Sequence, residues 1–191
     1  MRSSRDTPAG PRVTSSLLHE HDRLLAERVL GGDVDSLAAL YTKHAPSVYT
    51  AALRLLGHSH DAEDVAQEVF ARLSVTLTTW DPSLGELGPW LRRVSVRHAL
   101  MRLRTARRRR EVDTNDVAAL LFRDESSLDR IDIDRALSRL SAEQRTVFVL
   151  KEVEGYSHRD IAELLGVSVA TSEVRLYRAR VALRAHLGSG R

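Results

Sequence analysis

Three serines organise the C-terminal third of this chain. Ser141, Ser157 and Ser168 each stand at the start of a run with helical apolar spacing, and Gly155 and Gly166 stand between the runs. Ser141 with Gln144 forms a capping-box pair, the hydroxyl accepting from the third helical N–H and the amide reaching back to the cap. Ser157 with Asp160 repeats the spacing. The runs place Val147, Phe148 and Leu150, then Ile161, Leu164 and Leu165, then Val169, Leu176, Ala179 and Leu183 at apolar positions. A short helix, a tight turn at Gly166 and a longer arginine-bearing helix make a helix-turn-helix, a unit whose second helix enters the major groove of DNA.

In that second helix Ser172, Leu176, Ala179 and Leu183 share one face and are expected inside. Ser168 caps it, and Thr171, Glu173, Val174, Arg175 and Arg178 occupy the first turns outside that face. Thr171 suits a phosphate, Arg175 and Arg178 a phosphate or guanine, Glu173 a cytosine amine and Val174 a thymine methyl. The plain alternative is a solvated basic face on a three-helix bundle.

The remainder also reads as helix. Leu and Ala dominate the apolar set and aromatics are only 5%, a balance that favours helices over sheets. An all-α chain of two small modules is expected. Residues 1–18 read as a disordered tail, 19–110 as the first module, 111–127 as a flexible linker with one helical turn at 117–122, and 128–188 as the second module. In the first module a short helix starts at His19, with Leu24, Leu25, Val29 and Leu30 on one side. A second follows Asp33 or Asp35 and ends at Gly57, kinked or split by Pro46. A third, from Ser59 or Asp61 to about Thr78, carries Ala62, Val65, Ala66, Val69 and Leu73 as its buried stripe. After a Pro- and Gly-bearing loop, Pro89 opens a fourth helix that runs from Trp90 to about Arg110.

Charge divides the first module. Asp61, Asp64, Gln67 and Glu68 share a polar face of the third helix. Dipole compensation explains the first turn, but Gln67 and Glu68 lie a turn further on, and the face suits a basic partner helix. The fourth helix is the reverse: nine arginines lie between Arg92 and Arg110 with no acidic residue. Like charges at that density repel unless a polyanion relieves them, and a phosphate backbone is the natural one. A membrane surface is the rival, but Trp90, Leu91, Val94, Ala99 and Leu103 read as a core stripe. Just before this helix Trp80, Asp81, Ser83 and Leu84 stand where unpaired bases could be received, although Trp80 would serve equally as a plug for the helix end.

Other classes find little support. There is no Cys, so disulfides and thiolate metal sites are excluded. No apolar run is long enough to span a bilayer, the N-terminus lacks the apolar stretch of a signal peptide, and a cytoplasmic location follows. His58 and His60 diverge on a helix and do not make a metal site. The acids of the third helix lack the partner acid, nucleophile or pocket that catalysis needs. No enzyme and no cofactor are expected.

Together these residues resemble the extracytoplasmic-function group of bacterial sigma factors. DAEDVAQEVFARL (61–73) is similar to that family's polymerase-clamp-binding signature, PWLRRVSVRHALMRLR (89–104) to its minus-ten helix, and LSAEQRTVFVLKEVEGYSHRDIAELLGVS (140–168) to its helix-turn-helix. The resemblance implies that Asp61, Asp64, Gln67 and Glu68 dock on core RNA polymerase. It implies that Trp80, Asp81, Ser83 and Leu84 capture a flipped base of promoter DNA while Arg92, Arg93 and Arg97 hold the melted strand. Ser168, Thr171, Glu173, Val174, Arg175 and Arg178 would then serve the minus-thirty-five element. An anti-sigma factor is the expected antagonist, and no membrane contact is expected. The chain departs from the family's pattern at Arg97 and Met101, where Asn and Asp are common. A second departure is Ala170 to Val174, where Glu173 replaces a usual Lys. A free-standing helix-turn-helix regulator is the alternative.

Overall fold

The computed structural model describes residues 12–112 and 131–188, with side chains from 17–106 and 134–185. Every regular element among the described residues is helical. The first module comprises α1 (Arg12–Leu30), α2 (Val34–Leu56), α3 (Ser59–Ala71), the single turn α4 (Leu73–Thr76) and α5 (Leu87–Val112). The second comprises α6 (Ile131–Ser138), α7 (Ala142–Phe148), α8 (His158–Leu165) and α9 (Val169–Gly188). The expected linker turn and most of the linker lie outside the described residues.

α2 is the central helix of the first module, with α1, α3 and α5 packed on it. Asp33 caps it by accepting from the N–H groups of Asp35 and Ser36, and Gly57 ends it in the left-handed conformation at φ 78°. Leu40, Val48, Ala52 and Leu55 are buried against Val65 and Val69 of α3 and Leu91, Val96 and Ala99 of α5. Ser95 donates to the Val48 carbonyl at 2.8 Å, a small buried residue that lets α5 approach α2 closely. Contrary to a split, α2 runs unbroken through Pro46. Pro46 and Thr42 are both exposed, so the missing i→i−4 bond opens towards water.

Several boundaries differ from expectation. Residues 12–18 are helical rather than tail. In α1 Leu25, Ala26 and Val29 are buried, while Leu24 and Leu30 face solvent. The third helix breaks at Arg72, and a separate turn and a 3-10 turn (Leu77–Thr79) follow. Thr76, Thr78 and Thr79 bond their hydroxyls to carbonyls three or four residues back, and the break keeps Leu73 and Leu77 in the core. α5 begins at Leu87, placing Pro89 third in the helix, where the first-turn N–H groups lack intrahelical partners anyway.

In the second module Ser141 and Ser157 both form the expected capping boxes. α7 continues as a π-helical turn (Val149–Val153), and Gly155 reverses the chain at φ 74°. The modules touch, α7 packing against α2.

Candidate nucleic-acid and polymerase interfaces

The acidic face of α3 is built by its buried face. Ala62, Val65, Ala66, Val69 and Phe70 point inward, which leaves Asp61, Asp64 and Glu68 half-exposed and Gln67 exposed. The three carboxylates are already engaged by α5. Arg102 Nη1 donates to Asp64 at 3.1 Å and lies 3.6 Å from Asp61, and His98 Nδ1 is 3.4 Å from Glu68. Such half-exposed pairs contribute about 0–1 kcal/mol each, so a partner that brings its own cations displaces them at little cost.

α5 turns Leu87, Leu91, Val96, Ala99 and Leu100 into the core and Arg93, Arg97, Met101 and Arg104 to solvent. These four follow one another at spacings of four, four and three, so they form a single outer stripe. Ahead of it the loop is held by its own side chains. Trp80 Nε1 donates to the Gly85 carbonyl at 3.2 Å, and its ring sits 6.5 Å from Trp90 and edge-on to His19 at 6.4 Å. Trp80 thus serves as a plug, partly buried against the core. Asp81 accepts from both the N–H and the hydroxyl of Ser83 at 2.8 and 2.7 Å. These bonds stabilise the carboxylate and lower its pKa below the usual aspartate value. Leu84, 85% exposed, forms the loop's apolar tip.

In the helix-turn-helix Gly166 adopts the left-handed conformation at φ 65°. Ser168 accepts from the Thr171 N–H at 3.0 Å, and the two hydroxyls lie 2.8 Å apart. Ser172, Leu176, Ala179 and Leu183 are buried as expected, and Ser172 pairs its hydroxyl with His158 Nδ1 at 2.9 Å. Glu173, Val174 and Arg178 are exposed. Arg175 is half-buried and held by Glu143 of α7 at 2.8 Å, so its guanidinium is oriented from outside the helix-turn-helix pair α8 and α9.

Sequence reasoning passed over two groups of residues. Tyr177, 69% exposed, shares the outer face with Val174 and Val181, and an aromatic next to Arg178 was the available signal. Arg145, Glu154 and Tyr156 join the modules. Arg145 was detectable as a lone cation on the apolar side of α7, four residues before Val149. Among the described residues no cluster of three or more His, Asp or Glu is placed to hold a metal ion, and no helix is long and apolar enough to cross a membrane.

Comparison with known proteins divides the chain in the same way. The family model for Sigma-70 region 2 matches residues 40–109, and that for Sigma-70, region 4 matches residues 130–183. The chain is 32% identical over 182 residues to the ECF RNA polymerase sigma factor SigM of Mycobacterium tuberculosis, covering 93% of this chain and 91% of the relative. It is 35% identical over 156 residues to SigE of Mycolicibacterium smegmatis, covering 78% of this chain and spanning 60% of that longer relative. In fold it is similar to the sigma factor RpoE from Bartonella quintana, solved in complex with the anti-sigma factor NepR. The TM-score is 0.55 at 24% identity, covering 83% of this chain and all of that one. A free-standing regulator is not favoured, because it leaves the region 2 match without a role. With both modules matched in order, the chain belongs to the ECF RNA polymerase sigma factors, the alternative sigma factors that direct RNA polymerase to promoters.

Proposed function

We propose that α3 docks this chain on core RNA polymerase, that the 79–88 loop and α5 hold the minus-ten strand, and that α9 reads the minus-thirty-five element. The observation that carries the reading is the outer stripe of α5. Arg93, Arg97 and Arg104 are exposed, and among the described residues none has an ion pair. Their repulsion is relieved by a polyanion laid along the helix. Asp61, Asp64, Gln67 and Glu68 supply the acidic face for a basic polymerase helix, which replaces Arg102 and His98 as their partner. In the loop, Asp81 and Ser83 offer polar edges and Leu84 an apolar contact for an unstacked base, while Trp80 supports the loop from beneath.

Ser168 and Thr171 at the start of α9 suit a phosphate, and Glu173, Val174, Arg175 and Arg178 suit base edges. Binding energy rather than bond chemistry does the work, and no cofactor is required. The role belongs in the cytoplasm with polymerase and DNA, without membrane contact. An anti-sigma factor is the expected antagonist, as NepR is a partner of RpoE.

Co-elution with core polymerase tests the docking face. Asp64→Asn with Glu68→Gln removes charge without adding repulsion inside the fold. The double variant should bind polymerase at least tenfold more weakly while unfolding within about 1 kcal/mol of the parent, as half-exposed pairs require. Undiminished binding would remove α3 from the docking face.

A further inference from the structure

Apolar packing holds α9 on its module, but one buried polar bond fixes how it lies there. Ser172 is the polar member of the inward stripe that it shares with Leu176, Ala179 and Leu183, and none of it is exposed. A helical hydroxyl commonly turns back on its own backbone. Thr42, Thr50, Thr105 and Thr146 do so in this chain, each bonding the carbonyl four residues earlier. Ser172 instead reaches across to α8, where its Oγ lies 2.9 Å from Nδ1 of His158.

The capping box puts the partner in place. Ser157 Oγ accepts from the Asp160 N–H, and the Asp160 carboxylate accepts from the Ser157 N–H, so His158 is the first residue of α8 while Gly166 follows the last. The two helices are thereby joined at both ends of α8, through the chain at Gly166 and through the His158–Ser172 bond at the other end. At eight residues α8 is about 12 Å long, and the bond acts that far from the turn about which the helices would otherwise swing. Contacts among Ile161, Leu176 and Ala179 resist separation but have no preferred direction, whereas a hydrogen bond weakens steeply when bent. Ion pairs also tie α9 to its module, Arg175 to Glu143 and Arg180 to Glu152, but each has partly exposed members and salt screens such pairs. The buried bond escapes that screening.

We propose that His158 and Ser172 are positioning residues for promoter reading: their bond fixes the roll and tilt of the first turns of α9, and so decides which base edges Glu173 and Val174 meet. This role rests on the assignment of α9 to the minus-thirty-five element. Ser172 stands between Thr171 and Glu173 in the chain, so a roll of the helix that moves one moves all three. His158 is half-buried and acts through Ser172 rather than on DNA. Attraction to phosphates carries no sequence information and survives a small tilt, whereas contacts to base edges need their geometry. Loss of the bond therefore costs discrimination between sequences, with affinity for DNA in general retained.

The test offers a pool of random-sequence duplexes to core RNA polymerase carrying the full chain, and sequences what is bound. In Ser172→Ala, preference for the selected site over the unselected pool should fall about tenfold, roughly the discrimination carried by one base pair. Affinity for the unselected pool should stay within about twofold of the parent's, because phosphate attraction dominates it. The loss should fall on the upstream positions of the site and leave its minus-ten positions as sharply selected as before. His158→Ala should lose as much, and the two changes together no more than either alone, as expected of residues that act through one bond. His158→Asn, whose amide can stand where Nδ1 stands, should recover most of the preference. Undiminished selectivity in folded Ser172→Ala and His158→Ala overturns the positioning role, as does equal blurring of both promoter elements. Losses that add, with none recovered in His158→Asn, mean two separate packing defects and overturn the pair. A parent chain that selects no upstream sequence at all shows instead that the reading of α9 has failed, and the positioning role falls with it.

Discussion

Gly57 answers two demands at once. Its φ of 78° suits glycine, and the Arg145 guanidinium fills the space where a side chain would begin. Gly32 has a similar φ of 89° but nothing within 4 Å of an added Cβ. Gly32→Ala should therefore cost only the left-handed penalty, about 1–2 kcal/mol. Gly57→Ala should cost measurably more, and the difference, read by urea unfolding, isolates the Arg145 contact. Equal losses would show that Arg145 moves aside freely. A second residue-scale test concerns His44. Asp22 and His44 are both buried, with Lys43 Nζ 2.6 Å and His44 Nε2 3.2 Å from the Asp22 carboxylate. Burial is the larger influence on His44 and lowers its pKa from the ordinary 6.5, against the opposing pull of Asp22. The unfolded chain thus takes up the proton first. The contribution to stability is complete above about pH 6.5 and is lost as pH falls through the depressed folded value. Thermal unfolding followed from about pH 7.5 to pH 5.5 should show a falling Tm that His44→Gln flattens. A parallel fall in both proteins would exclude His44 as the source.

Among the elements, α9 was the most legible. Its caps at Ser168 and, one helix earlier, at Ser157 are side chain-to-backbone bonds spanning three residues, and its inward face repeats at helical spacing. Both signals are local, so sequence alone carries them. The break at Arg72 was not legible, because Leu73 and Leu77 continue the buried spacing whether the helix is straight or broken. The start of α1 at Arg12 was hidden for a related reason: Leu17 and Leu18 are exposed and extend no inward stripe. The same spacing that buries Ser172 leaves Glu173 outside, at the start of the helix proposed to read DNA. Glu173→Lys should therefore strengthen non-specific duplex binding and steepen its log–log salt dependence by about one unit for one added phosphate contact. An unaltered salt slope would place that turn away from DNA.

Periodicity states which face of a helix is buried but not which partner covers it, and at the scale of the whole molecule this limit matters most. The acidic face of α3 suits a basic partner, yet nothing in its spacing shows that Arg102, 38 positions beyond Asp64, sits on it. Arg145 bonds to a carbonyl 89 positions away; its place on the apolar side of α7 marks a buried cation but does not identify the partner. The two modules and their order were legible because each carries its own inward stripes; their mutual seating, with one buried cluster running through both, was not. In the proposed role the two surfaces act together on one polymerase at one promoter. In-vitro run-off transcription on genomic DNA, with core RNA polymerase alone and with this chain added, decides whether they do. Discrete new start sites that need the chain, and that weaken when Asp64→Asn and Glu68→Gln are combined, are the predicted result. Duplex DNA retarded by the chain alone, with no new start site, would contradict it.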